Sequence, residues 1–482
     1  MTLRPRLAVL APLALCLGAV VATLAQCGNE PAAAATTQEP RAAATPPADR
    51  IRLLISGAML GRLEPCGCAS GQLGGLARRM QHVGEQTGYD LLLEGGDLVD
   101  GDSALDALKL LTAAQALFAM QRRYDALGVG SRDLRLPAAD YRAFLAGAPV
   151  VASDLVTDAT DWPAQPFVAK SVRGVDVRVA SLLLDRRESA GAGVTHLPPA
   201  EGWRRALDGA TPATRRILMA HGDDAAIRQL IPQLDPPPDL VIGIDSAYAE
   251  PTAAPSRVGD VPLLFTGSRG RVLLDCWLHR GPAGGQVACE LVPLPASRTV
   301  PGGGGDPQVK DLILAHRHDV QSQGLLAQLA ERRPTASGAS YVGTSTCAAC
   351  HPTAMADWEK SKHAHAWQTL VDAEKDPKRY GWPVTAYPDC VGCHVVGYGE
   401  RSGFRSAADT PHLTDVGCER CHGPGSEHVA AGGQKPLGLL GGVQGSQLCT
   451  QCHDYEQSPT FVYGDKWAAI RHGREAHQQP KK

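Results

Sequence analysis

Val416-Gly417-Cys418-Glu419-Arg420-Cys421-His422-Gly423-Pro424-Gly425 holds two cysteines two residues apart, with a histidine directly after the second. The same Cys-x-x-Cys-His order recurs at Cys347–His351, Cys390–His394 and Cys449–His453. Two thiols at this spacing reach the two vinyl groups of a porphyrin as thioethers. The next residue then lies under the iron, where its imidazole is the proximal ligand. Zinc binding does not require a histidine after every pair, and a disulfide framework does not require the histidine at all. Four copies within about 110 residues therefore predict four covalent c-type haems. The attachment residues are Cys347, Cys350, Cys390, Cys393, Cys418, Cys421, Cys449 and Cys452, and the proximal ligands are His351, His394, His422 and His453. A segment built round four large apolar rings takes its core from them and needs little secondary structure. Residues 341–482 are expected to be mostly irregular and α-helical.

Sixth ligands must come from other histidines. After residue 340 these are His363, His365, His412, His428, His472 and His477. Imidazole is a good iron ligand. His363, His428 and His472 are favoured for their settings in Trp358–His365, Cys421–His428 and Trp467–Gly473, with His365 next.

The chain has 482 residues, enough for two or three domains. Its formal net charge of -3 provides no basic field for nucleic acid. At the N-terminus Arg4 and Arg6 precede an apolar run from Leu7 to Ala25, the pattern of a secretory leader at residues 1–27. An uncleaved anchor helix is the alternative, since the run is nearly long enough to span a bilayer. Leu24-Ala25-Gln26-Cys27 resembles a bacterial lipoprotein cleavage box, with Gln26 where that family places a small residue. The resemblance implies membrane attachment through a lipidated Cys27. Residues 28–50, rich in Ala, Thr and Pro, read as a disordered tether.

Between residues 51 and 295 apolar runs alternate with helical stretches. Strands are expected at Ile51–Ser56, Asp90–Leu93, Tyr124–Val129, Val150–Ser153, Val175–Leu184, Arg216–Met219, Leu240–Ile244 and Leu263–Thr266. Helices are expected at Leu76–Gln86, Leu105–Arg122, Ala138–Ala146 and Asp224–Gln233. The alternation predicts an α/β layered domain. A hairpin, Arg271–Arg280 with Gln286–Pro293, closes it. If its loop is Gly281–Gly284, Cys276 and Cys289 oppose each other and can form a disulfide. If Gly285 also belongs to the loop, they lie on opposite faces as free thiols. Residues 296–340 are a Gly-rich linker with a helix at about Val309–Arg332.

The C-terminal segment resembles the tetrahaem cytochrome c-554 family. The likeness lies in Tyr341-Val342-Gly343, Cys390-Val391-Gly392-Cys393-His394-Val395-Val396-Gly397-Tyr398 and the Val416–Gly425 stretch. It implies bis-histidine haems packed in close pairs, and allows one open iron. Residues 51–295 resemble the calcineurin-like metallophosphoesterases, in particular their 5'-nucleotidase branch. That likeness lies in Gly61–Pro65, Gly74–Arg78, Gly95–Gly101 and Gly267-Ser268. Active members hold two metal ions. Here Ala58 and Leu60 replace the first Asp and His, Ser131 and Arg132 replace an Asn-His pair, and Asp245 and Ala247 replace the last His-x-His. Asp97 and His221 remain, with Asp245 a third candidate, so the resemblance implies a phosphoesterase module without its metal site and without activity. Cys66 and Cys68 sit in the loop after the first strand. They are a metal-binding or redox pair, or else a strained local disulfide or two inert thiols.

The combined reading is an exported tetrahaem cytochrome, periplasmic or at the outer cell surface, relaying electrons between redox protein partners. Its alternative is a haem redox enzyme acting on a small nitrogen or sulfur compound at an open haem.

Overall fold

Ile51, Leu53 and Ile55 point to one side of the first strand and Leu54 to the other, and all four are fully buried. A strand alternates its side chains between two faces, so a continuous apolar run requires cover on both. The computed structural model supplies that cover in four layers. It describes residues 49–65, 71–119, 124–185, 193–245, 250–252, 254–279, 286–296, 303–376, 380–438, 442–454 and 457–472. The leader, Cys27, nearly all of the tether, Cys66, Cys68, Ala247, the hairpin loop and His477 lie outside the described residues.

Two six-stranded sheets form the middle layers. The strands in chain order are β1 (Arg50–Ser56), β2 (Leu91–Glu94), β3 (Ala126–Gly128), β4 (Val150–Val151), β5 (Leu155–Val156), β6 (Val168–Val172), β7 (Val175–Leu183), β8 (Thr195–His196), β9 (Arg215–His221), β10 (Leu240–Ile244), β11 (Ser256–Val258), β12 (Val261–Phe265), β13 (Val272–His279) and β14 (Val287–Pro293). The first sheet has the order β14-β13-β1-β2-β3-β4, with β1 to β4 parallel. The second has the order β11-β12-β10-β9-β7-β6, with β12, β10, β9 and β7 parallel. Strands β5 and β8 pair separately.

Between the sheets lie Ile51, Leu53, Ile55, Leu91 and Leu93 from one side and Ile217, Met219, Leu240 and Ile242 from the other. Outside the first sheet, the helices Leu76–Glu85, Ala104–Ala114 and Pro307–Ser322 bury Met80, Leu110 and Ile313 against Leu54 and Leu92. Outside the second, the helices Pro199–Ala206 and Asp224–Leu230 bury Trp203 and Ile227 against Leu218 and Val241. The expected α/β layering is therefore present as helix, sheet, sheet, helix.

All eight expected strands of the layered part are present, within a few residues at their ends. Four short strands, β5, β6, β8 and β11, and the helix Pro199–Ala206 were not predicted. In β6 the three middle residues are exposed, so no apolar run marks it. The helix expected over Val309–Arg332 is broken into Pro307–Ser322 and Leu325–Leu329 because Gly324 takes a left-handed φ of 65°. The helix expected over Leu105–Arg122 starts at a Ser103/Asp106 capping box and passes into a π-helical turn at Gln115–Ala119. The hairpin register pairs Cys276 with Cys289, and the two form a disulfide. Cys276 faces the core between the sheets.

The described residues form one compact unit. Within it the region after residue 340 is built of short helices and turns. Its own apolar cluster centres on Val384, Val391, Val395, Phe404 and Leu413. Among the described residues no helix is long and apolar enough to cross a membrane.

Candidate haem-binding site

Each Cys-x-x-Cys-His stretch is a single helical turn. In the first, the N–H groups of Cys350 and His351 both donate to the Cys347 carbonyl, at 3.1 and 3.0 Å. The fourth repeats this, with Cys452 and His453 donating to the Cys449 carbonyl at 3.1 and 2.8 Å. The second lies in the helix Pro388–His394 and the third in Cys418–His422. Positions i, i+3 and i+4 share one helix face, so both thiols and the imidazole of each stretch are presented together. All eight cysteines are of intermediate exposure and lie outside the disulfide.

The histidines far apart in the chain come together in pairs. The rings of His351 and His428 have centroids 6.1 Å apart, with planes 22° from parallel. Those of His363 and His453 are 6.0 Å apart at 44°, and those of His422 and His472 are 5.7 Å apart at 54°. Two imidazoles on opposite sides of one metal, each at a bond of about 2.0–2.1 Å, place their centroids about 6 Å apart. The three spacings fit an iron between each pair. Each pair joins one signature histidine to one of the three favoured sixth ligands.

Several of these rings are already oriented by a hydrogen bond at Nδ1, which leaves Nε2 for a metal. The Nδ1 of His422 is 2.9 Å from the Gly438 carbonyl, that of His428 is 2.6 Å from the Lys435 carbonyl, and that of His453 is 2.9 Å from the Ser458 hydroxyl. His394 Nδ1 lies 2.5 Å from the Ala366 carbonyl. Among the described residues no second imidazole stands against His394. His365 lies near Asp415, and His412 sits on the turn Pro411–Leu413; neither meets another histidine ring among the described residues.

The signatures are themselves adjacent in twos. The thiols of Cys347 and Cys418 lie within hydrogen-bond reach, and so do those of Cys393 and Cys452. The first signature thus neighbours the third, and the second neighbours the fourth. Glu419, an intervening residue of the third signature, is 3% exposed. Its carboxylate accepts N–H bonds from Gly343 at 2.7 Å, from Gly425 at 2.7 Å and from Val342 at 3.0 and 3.1 Å. It joins the approach to the first signature to the turn that carries His428. The signature formula leaves that position unconstrained; the only sequence signal for Glu419 is a charge inside an otherwise variable pair.

The signature-bearing segment packs on the layered part through charges that sequence reading missed. Lys109 Nζ is 2.7 Å from Asp389, the residue before Cys390. An Arg269 guanidinium nitrogen is 2.6 Å from Asp454, the residue after His453. Arg317 pairs with Glu64 at 2.7 Å and covers the Trp382 ring at 4.2 Å. The buried His316 joins Thr112 through Nδ1 at 3.1 Å and the Tyr387 hydroxyl through Nε2 at 3.0 Å. Burial, and then the nearby Lys109 and Arg317 charges, pushes the His316 imidazole down to about 4.

The two residues singled out by the phosphoesterase resemblance, Asp97 and His221, lie at the carboxyl ends of the parallel strands, where open α/β sheets collect their sites. Asp97 follows β2 and His221 ends β9, both buried. A Cβ on Gly130 would come within 1.9 Å of Asp97 Oδ1, so the backbone there admits only glycine. His221 has no hydrogen-bond partner at either ring nitrogen among the described residues, and burial pushes it down to about 3. Asp133, which the sequence reading passed over, accepts N–H bonds from Asp97 and Leu98 at 2.7 Å each. Burial and the neighbouring Asp97 hold its carboxyl well above the usual range. Ala58 and Leu60 keep left-handed backbones, φ 49° and 52°, without any metal-binding side chain. Among the described residues no three His, Cys, Asp or Glu side chains group to hold a metal ion.

A segment with this arrangement of signatures carries the attachment residues of a c-type cytochrome. The chain's signature-bearing segment is similar to the cytochrome c-554 family. Residues 346–423 match the family described as Cytochrome c554 and c-prime. Cytochrome c-554 of Nitrosomonas europaea is 33% identical over 156 residues, covering 28% of this chain and 66% of that relative, just under two thirds of its length. Among solved structures the chain is similar to a 5'-nucleotidase precursor from Thermus thermophilus, with 18% identity, 62% of this chain, 64% of that chain and a TM-score of 0.45. It is also similar to the calcineurin-like phosphoesterase YfkN from Bacillus subtilis, with 15% identity, 56% of this chain, 97% of that chain and a TM-score of 0.42.

Proposed function

We propose that the protein is an exported cytochrome with four covalent haems that passes electrons between redox protein partners. The observation that carries this reading is the set of three imidazole pairs at 5.7–6.1 Å beside four intact signatures. Cys347 with Cys350, Cys390 with Cys393, Cys418 with Cys421 and Cys449 with Cys452 hold the haems as thioethers. His351 with His428, His453 with His363, and His422 with His472 would ligate three of the irons, and His394 would ligate the fourth. Each bound haem supplies one-electron chemistry. The protein's part is to fix the axial imidazoles, through Nδ1 bonds to backbone carbonyls and to Ser458, and to hold the signatures next to one another.

The layered part acts in this reading as a docking module without phosphoesterase activity; what supports this is the sequence, where Ala58, Leu60, Ser131 and Arg132 stand at positions the resemblance gives to metal ligands of a two-metal centre. The leader directs export, and Cys27 is the candidate for lipid attachment. Intact mass tests the first claim: the mature protein should exceed its polypeptide mass by four haems, and a smaller increment refutes it. Cys27→Ser should release the protein from the membrane fraction if that cysteine is lipidated. Metal-stimulated hydrolysis of a nucleoside monophosphate would overturn the inactive-module assignment.

A second reading is favoured by His394, which meets no second imidazole among the described residues. It makes the haem at Cys390–His394 an open site for a small nitrogen or sulfur compound. Carbon monoxide binding to one haem of the reduced protein supports it, and the absence of any carbon monoxide complex removes it.

A further inference from the structure

We infer that the layered domain serves as an electrostatic clamp that raises the reduction potentials of the haems at the second and fourth signatures. The inference rests on the haem reading above and adds a function for the phosphoesterase-like module.

Two carboxylates flank those signatures directly: Asp389 precedes Cys390 and Asp454 follows His453. Each is met by a cation from the layered domain. Lys109 comes from the helix Ala104–Ala114, and its side chain is 7% exposed where it meets Asp389 at 2.7 Å. It packs beneath the Gly61 turn: a Cβ on Gly61 would lie 3.3 Å from Lys109 Cδ. Arg269 comes from the loop after β12, and it meets Asp454 at 2.6 Å with both side chains 19% exposed. The backbone N–H of Arg269 donates to the Ala58 carbonyl at 2.6 Å, so this loop is tied to the first strand-end loop. Both cations thus come from the strand-end face of the layered domain. The second and fourth signatures adjoin each other through Cys393 and Cys452.

The other half of the relay is built differently. At the adjoining first and third signatures the buried carboxylate is Glu419, whose partners are the backbone N–H groups of Val342, Gly343 and Gly425. Among the described residues no Lys or Arg forms an ion pair with it.

The physical consequence follows from charge. Reducing a haem adds one negative charge, and a carboxylate nearby opposes it. A cation held against that carboxylate cancels the opposition. In a partly buried interface the effective dielectric constant is nearer 20 than 80, so the cancellation is not screened away. The second and fourth haems therefore sit at higher potential than the first and third. Electrons run from the Glu419 half toward the half clamped by Lys109 and Arg269.

The test uses the full-length holoprotein, with haem counted by the pyridine haemochrome and each haem's potential followed by optical and magnetic circular dichroism titration. Lys109→Met and Arg269→Met should each shift the one-electron equilibrium of the second and fourth haems toward the oxidised form by about three- to tenfold; tenfold is about 59 mV. The first and third haems should move less. Asp389→Asn should shift the same haems in the opposite direction, and Lys109→Met combined with Asp389→Asn should return them toward wild type. A change that merely loosened the fold would not reverse sign. If Lys109→Met fails to fold, Asp389→Asn alone carries the sign test. Potentials that stay put in all variants, or that move equally at all four haems, overturn the inference while leaving the haem reading intact. Wild-type protein without haem at Cys390–His394 or Cys449–His453 overturns the haem reading itself and the inference with it.

Discussion

Replacing Glu419 with Ala removes an acceptor that three backbone N–H groups share. Two of those donors, Gly343 and Gly425, are in buried bonds at 2.7 Å, and the Val342 bonds are partly buried. A buried donor left without a partner costs about 1–3 kcal/mol, so the two glycine N–H groups alone make Glu419→Ala cost about 2–6 kcal/mol. Glu419→Gln keeps one oxygen acceptor but turns an NH2 group on another donor, and about half the loss is expected. The damage should be local. Val342 and Gly343 lead into the helix Thr344–Ala348 of the first signature, and Gly425 begins the turn to His428. The assay is thermal unfolding followed at the Soret band together with electron paramagnetic resonance of the oxidised holoprotein. The low-spin signal of the His351/His428 pair should broaden or shift, and the melting temperature should fall in the order wild type, Gln, Ala. An Ala variant that melts with wild type and keeps its low-spin signals would refute the reasoning, because the four hydrogen bonds would then contribute nothing measurable.

His428→Met should leave four haems attached while the spectrum loses one bis-histidine signal; an unchanged spectrum removes His428 as a ligand. Breaking the Cys276–Cys289 bridge, whose partners are 13 residues apart, should lower stability by about 3 kcal/mol on the chain-entropy account, read as a shift in urea midpoint for the double Ser variant. Recovery of both cysteines as free thiols from the exported protein, by non-reducing peptide mapping, would contradict it. His316 is held neutral in the fold, down to about 4 from an ordinary 6.5. A depressed pKa means stability is present above about pH 6.5 and is lost as pH falls toward 4, by up to about 3 kcal/mol. The stability difference between wild type and His316→Gln should therefore change between pH 7 and pH 4.5, and a difference that stays constant across that range would exclude the titration.

What could be read from the sequence was contiguous. Haem attachment needs two thiols and an imidazole within five residues, so each signature is complete in one short stretch and needs no knowledge of the fold. Buried strands are also local: β1, β7, β9 and β10 announce themselves as apolar runs covered on both faces. The Cys276–Cys289 pairing could be counted from a hairpin, because antiparallel register follows from loop length. Edge strands such as β6, whose middle residues are exposed, left no such trace. The partners across space depend on packing. Lys109 meets Asp389 across 280 residues, and Glu419 collects donors from both sides of its own signature. His351 finds His428, and not His412 or His365, only once the short helices have been stacked. Bond formation within a turn is decided by covalent spacing, which the sequence carries directly. Distances between turns are decided by burial and charge pairing summed over the whole chain, and those exist only in the folded structure.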